Sequence, residues 1–188
     1  MDSPFVGTIA ASSGRVCGAC SLCCKLPQIE PLEKPAGKLC SHCNAGNGCS
    51  IYGSRPQVCR DFSCFWLAGH VNDAWYPPHA KLMVDIKGKW IMVQVDPGSP
   101  NRWRQEPYFS QIKYWATFGI DRGVWVLVSV KKRLRIVLPN KEIDLGTYQL
   151  GDYVTVGEIP SPGGRDWTAA LRKAKDLTPE QRDRFAIR

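Results

Sequence analysis

Cys17-Gly-Ala-Cys20-Ser-Leu-Cys23-Cys24, then Cys40-Ser-His-Cys43, Cys49, Cys59 and Cys64, is the stretch that decides how the rest of the chain is read. All nine cysteines of the 188-residue chain lie in it, and none follows Cys64. A lone thiol packs like any small apolar residue, so core cysteines would be scattered along the chain. Clustering at two-residue gaps points instead to thiolates converging on metal. Cysteines three apart can curl around one ion or one corner of a cluster, as in ferredoxin-type runs and zinc sites. Nine thiols beside three histidines make a sulfur-rich donor set, which selects zinc or iron–sulfur over magnesium or calcium.

Residues 17–50 are rich in Cys, Gly, Pro and Asn and hold too little carbon to order themselves, so metal has to supply folding energy there. From Ser54 the pattern predicts a helix. Ser54-Arg-Pro-Gln57 has the capping-box form, Pro56 falls in the first turn, and Gly69 is the stop. Cys59 and Cys64 would lie on that helix or at its end, about 140° apart around the axis. They then face different sites, unless the helix breaks near Ser63. Adjacent Cys23 and Cys24 diverge in the same way. One tetrahedral zinc or one cluster needs far fewer thiolates than this stretch offers, so two centres are favoured over one with spare buried thiols. His42 reads as a loop residue rather than a ligand, and His70 and His79 as structural.

After Trp75-Tyr-Pro-Pro-His79 the composition changes. Leu82–Ile86 and Lys89–Asp96 alternate around Lys87-Gly88, predicting a hairpin. Residues 106–119 read as an amphipathic helix with Tyr108, Phe109, Ile112, Trp115 and Ala116 on its apolar stripe. Gly123–Val130 and Leu134–Leu138 predict a second hairpin, and Tyr153–Val156 a further strand. The tail from Asp166 reads as helical and basic, with Thr178-Pro-Glu-Gln181 as another capping box. The expected fold class is therefore α+β: an N-terminal cysteine-rich metal-binding module with a small antiparallel sheet, made of two hairpins, and helices. The expected divisions are a loose lead-in over 1–16, the cysteine-cluster module over 17–79, a β-rich module with one amphipathic helix over 80–160, and a basic helical tail over 161–188.

Mass (21.0 kDa) and 44% apolar residues suit one domain, or one with a small appended module. A net charge of +8 permits an acidic partner, but the basic residues are spread. Nucleic acid is thus allowed without being favoured. The densest group, Lys131, Lys132, Arg133 and Arg135, reads as a solvated hairpin end. No export signal or membrane-length apolar run is visible, and many thiols suit a reducing compartment, so the expected location is cytoplasmic. No phosphate-cradling glycine loop is present. The radical-SAM spacing fails because position 27 is Pro. Asp61 and Asp73 are acid–base candidates only by nearness in sequence, and no residue is assigned a catalytic role.

The string C-x2-C-x2-C-C, with Cys40 and then Cys49-Ser-Ile-Tyr-Gly-Ser-Arg-Pro-Gln-Val-Cys59-Arg-Asp-Phe-Ser-Cys64, resembles the CxxCxxCC or YkgJ-type family of zinc- or iron-chelating cysteine-cluster proteins. It is also similar to the cysteine domain of flagellin lysine N-methylases. The resemblance implies metal ligation by Cys17, Cys20, Cys23, Cys24, Cys40, Cys49, Cys59 and Cys64, and leaves Cys43 outside the pattern. It gives Arg55 and Arg60 a role in offsetting the charge of a thiolate-ligated cluster. Tyr52 and Phe62 become wedges that close the site. The expected cofactor is an iron–sulfur cluster, 4Fe-4S first, with Zn2+ as the alternative. The expected function is redox or enzyme-supporting work on an unknown protein partner or substrate, protein modification included. The alternatives are a non-catalytic structural-zinc module that binds an acidic partner, and metal storage or delivery.

Overall fold

The computed structural model describes residues 14–149, 151–162 and 164–185. The lead-in expected over 1–16 lies mostly outside the described residues. Regular structure is sparse in the cysteine stretch: α1 (Leu22–Lys25), two-residue strands β1 (Cys43–Asn44) and β2 (Gly48–Cys49), and α2 (Gln57–Arg60). The long helix expected from Ser54 does not form. A proline pushes the residue before it out of the helical region, and Arg55, with ψ at 149°, is extended as this requires. Pro56 is extended too and becomes the N-cap of α2, without any side-chain cap from Ser54. The helix ends at Arg60, so Cys59 lies on it and Cys64 does not. α3 (Pro77–Ala80) closes the module and stops at Lys81, which has φ 59°.

The alternating segments form a five-stranded sheet. β3 (Leu82–Lys87) and β4 (Trp90–Val95) make the first hairpin, and α4 (Tyr108–Ile120) follows. β5 (Trp125–Val130) and β6 (Arg133–Val137) make the second hairpin, and β7 (Glu142–Thr147) is added at its edge. The spatial order is β3-β4-β5-β6-β7. The expectation of an antiparallel sheet is corrected at its centre, where β4 and β5 pair in parallel. A parallel pair needs a long crossover, and the segment containing α4 provides it. β7 was not expected. Its Glu142-Ile-Asp-Leu-Gly-Thr147 carries few apolar residues, and Arg133 and Arg135 of β6 hold it by both pairing with Asp144.

Side-chain alternation sorts the sheet into two faces. Leu82, Val84, Ile91, Val93, Val126 and Val128 pack against α4 and the aromatic residues Phe65, Trp75 and Trp103. On the other face Trp90, Met92, Leu127, Leu134 and Ile136 pack against Val154 and Trp167. Those two residues belong to a separate ribbon of β8 (Tyr153–Ser161) and β9 (Gly164–Arg172). β9 overturns the helix expected from Asp166. Its pairing along the whole of β8 and the docking of Trp167, Ala169 and Leu171 on the sheet favour a two-residue period over the helical one. The second capping box does form, at the start of α5 (Pro179–Phe185). The Thr178 N–H donates to Gln181 Oε1 at 2.9 Å, and the Gln181 N–H donates to Thr178 Oγ1 at 3.3 Å. Among the described residues no helix is long and apolar enough to cross a membrane.

The cysteine module sits against β3. Met83, on the face opposite α4, packs with Leu22, Leu26 and Cys64. The Phe65 N–H donates to Val84 O at 2.8 Å, and Lys25 pairs with Asp96 at 2.7 Å. Arg15 donates to Trp66 O and Val71 O, which ties the start of the module to its end.

Candidate metal centre

Short main-chain links, not long elements, gather the cysteines. The Cys20 N–H donates to Cys17 O at 2.9 Å, Cys40 N–H to Cys24 O at 3.0 Å, and Cys43 N–H to Cys40 O at 3.0 Å. Cys43 and Cys49 face each other across the β1–β2 ladder. Cys59 is brought in by α2, and Cys64 lies buried at the contact with Met83. All nine are free thiols.

Their mutual fields show who neighbours whom. The Cys24 thiol contacts those of Cys23 and Cys43; the hydrogen bond with Cys23 and then burial push its pKa far up. Burial raises Cys20 to about 11, with Cys17, Cys64 and Cys24 adding repulsion against a lowering hydrogen bond from the backbone at Leu22. Burial also raises Cys43 to about 11, helped by Cys24, Cys40 and Cys49. Cys59 is raised by burial and then by Cys24, Cys40 and Cys49. Two neighbourhoods result. Cys17, Cys20, Cys23 and Cys64 form one; Cys40, Cys43, Cys49 and Cys59 form the other. Cys24 is common to both. Among the described residues, however, no three His, Cys, Asp or Glu side chains form a ready-made metal site. The thiols are gathered without being drawn to one point.

Two cations attend them. Lys34 is only 4% exposed, and its ammonium donates to the carbonyls of Lys25, Pro27 and Pro35. Burial lowers its pKa, while Cys40, Cys24, Cys23 and Cys59 work in the opposite direction. Among the described residues no carboxylate pairs with it. Carbonyls satisfy its N–H groups, but a buried charge also needs a counter-charge, and the thiols are what face it. Arg55 lies over the Tyr52 ring at 3.7 Å, and its field reaches Cys17, Cys49 and Cys59. Arg60 donates to Arg55 O at 2.8 Å and holds it in place.

The eight cysteines expected from the family pattern all lie in this gathering. So does Cys43, which that pattern omits. Its C-x2-C spacing from Cys40 was a zinc-like signal in its own right. Lys34 carried no such signal, since a lysine before proline in a loop reads as solvated. The argument that Cys59 and Cys64 diverge around a helix no longer applies, because α2 ends between them. His70 and His79 pack edge-on against Phe65 and Tyr76. Asp61 accepts a bond from Gln57 and Asp73 pairs with Arg15, so both have structural partners. No protein-family model, curated protein or solved structure matches the chain. The donor chemistry fits a soft metal: thiols close together and two cations beside them, of which the buried Lys34 ammonium has no carboxylate among the described residues.

Proposed function

We propose that residues 17–64 hold thiolate-bound metal at two adjacent centres, iron–sulfur first and zinc as the alternative, in a protein with a redox or enzyme-supporting role. The observation that carries this is the position of Cys24 between two sets of thiols. Cys17, Cys20, Cys23 and Cys64 would serve one centre, and Cys40, Cys43, Cys49 and Cys59 the other, with Cys24 available to either. Bound metal supplies electron-transfer capacity as iron–sulfur, or a rigid cross-link as zinc. The chain's own residues do the rest. Lys34 and Arg55 offset the negative charge of several thiolates, and Leu22, Leu26 and Met83 keep water from the Cys64 side. The resemblance to cysteine-cluster chelators accords with this reading.

The test is metal and acid-labile sulfide per chain on protein purified without oxygen, for the parent and for Cys24→Ser. More than one zinc per chain, or more iron and sulfide than a single cluster holds, falling in the variant, is the expected result. One zinc per chain, or one cluster with no second metal, would sink the two-centre arrangement. The second reading, a structural zinc module, draws on Cys64, which lies in the apolar contact joining module and sheet. A colourless zinc-loaded protein would favour it over a brown one.

A further inference from the structure

On the face of the sheet opposite α4, the cysteine module covers one end and the β8–β9 ribbon the other. Beside the module lies a cleft of about 300 Å³, bounded by Leu26, Gly37 and Lys38 on the module side and by Lys131, Lys132 and Tyr148 on the other. Its floor includes Gln94 and Ser129, which pair across β4 and β5. Neighbouring positions on this face are Met92 and Leu127, both buried and apolar. Gln94 and Ser129 are thus polar residues at positions where the same strands otherwise place hydrophobes. Tyr148 adds a phenol at the wall.

Three lysines rim the cleft: Lys38 from the cysteine module, and Lys131 and Lys132 from the β5–β6 turn. Among the described residues no acidic side chain pairs with any of them. Arg133 and Arg135, from the same basic run, are both spent on Asp144. Asp96, next to lining residue Pro97, is occupied as well. Burial raises its pKa, but Lys25 and the Gly98 N–H outweigh that and keep the carboxylate charged and paired. The turn itself is costly. Lys131 and Lys132 have φ of 49° and 68°, the geometry of a tight hairpin turn that Asn-Gly fills best. A sequence that breaks a local rule at a cleft, and supplies charge by doing so, marks the place as functional.

We infer that this cleft binds a small oxyanion-bearing molecule, a carboxylate or phosphate compound. Lys38, Lys131 and Lys132 supply the charge, and Gln94, Ser129 and Tyr148 direct hydrogen bonds to it. The site has its own residues and does not depend on the metal reading, although Leu26 of the module forms part of the wall.

The full-length protein is titrated with inorganic phosphate and, separately, with citrate, at constant ionic strength. Binding is followed by calorimetry and by the amide resonances of Gln94 and Ser129. Lys131→Asn combined with Lys132→Gly removes two charges while giving the turn its preferred residues, so the variant keeps its fold. Ser129→Ala is the second probe. Saturable binding of either anion, with shifts at Gln94 and Ser129 and an affinity about tenfold or more weaker in the double variant, is the expected result. Phosphate alone would identify phosphoryl ligands, and citrate alone carboxylates. Binding of neither, or binding unchanged in both variants, overturns the inference.

Discussion

Asp85 shows how much one residue can unbalance a strand. It lies on β3 on the same face as Met83, is only 4% exposed, and its Oδ1 has no partner. Burial raises its pKa to about 6, against smaller lowering effects of Lys87 and its own backbone N–H. A carboxyl whose folded pKa lies above the unfolded 3.8 binds its proton more tightly in the fold. Its contribution is fully present below the unfolded value and is lost as pH rises through about 6. Asp85→Asn keeps the shape without the charge. The variant should match the parent in acid and exceed it above neutral pH by on the order of 1–3 kcal/mol, as read by urea unfolding at both ends. A pH-independent difference would show that burial of charge is not the cause. Lys34 makes the opposite case, a buried cation held by three carbonyls. Lys34→Met leaves those carbonyls without a donor and the thiolates without a counter-charge. Stability should fall by about 1–3 kcal/mol, and zinc or cobalt affinity should fall with it. Unchanged metal affinity in a folded variant would remove Lys34 from the site.

At the scale of elements, the β8–β9 ribbon is the test of what packing adds to pattern. Trp167 stands 5.0 Å from Trp125, edge to face, and covers the sheet opposite α4. Trp167→Ala should cost about 3 kcal/mol or more in denaturant unfolding; a loss well under about 1 kcal/mol would mean that the ribbon does not dock there. Of this ribbon the sequence disclosed only the start of β8, at Tyr153–Val156, and not β9. Asp166, Arg172, Lys173 and Lys175 gave the tail a charged, helical look, and only pairing with β8 settles its period. The two hairpins were legible because short runs of strand-forming apolar residues flank the turns at Lys87-Gly88 and before Leu134, and both faces of these strands are buried. α4 was legible from its stripe, and Tyr108, Ile112, Trp115 and Ala116 are all buried. The capping-box pattern at Ser54 does not make a helix because Pro56 holds Arg55 extended. In the candidate site, the cysteines singled out by residue type and spacing do lie near one another in the fold. The placing of Cys43 beside Cys24 and the burial of Lys34 depend on how the loop from Leu26 to Cys40 folds back, which no local pattern records.

The whole molecule joins two parts that differ in what holds them. The sheet is packed on both faces, with Ile91, Val93, Val126, Leu127, Leu134 and Ile136 essentially inaccessible to solvent. The cysteine module buries Leu22, Leu26 and Ile29 but few other large apolar side chains of its own before Cys64. Conformational entropy opposes ordering in both parts, and in the module apolar burial offsets little of it. Burial first, and then neighbouring thiols, raise Cys20 and Cys43 to about 11, so these two thiols are protonated at neutral pH in the metal-free module. On the proposed reading, metal would have to displace these protons, and its binding energy would become folding energy for this part of the chain. Two outcomes are expected. Metal uptake should weaken as pH falls, with protons released on binding that a weakly buffered titration can count. Chelation under reducing conditions should expose residues 17–64 to protease while residues 82–138 stay protected. Mass spectrometry of the first cleavage products decides the second outcome. Equal protection of both parts after complete metal removal would mean that Met83, Leu22, Leu26 and the Lys25–Asp96 pair hold the module without metal, and that the thiols serve something other than its folding.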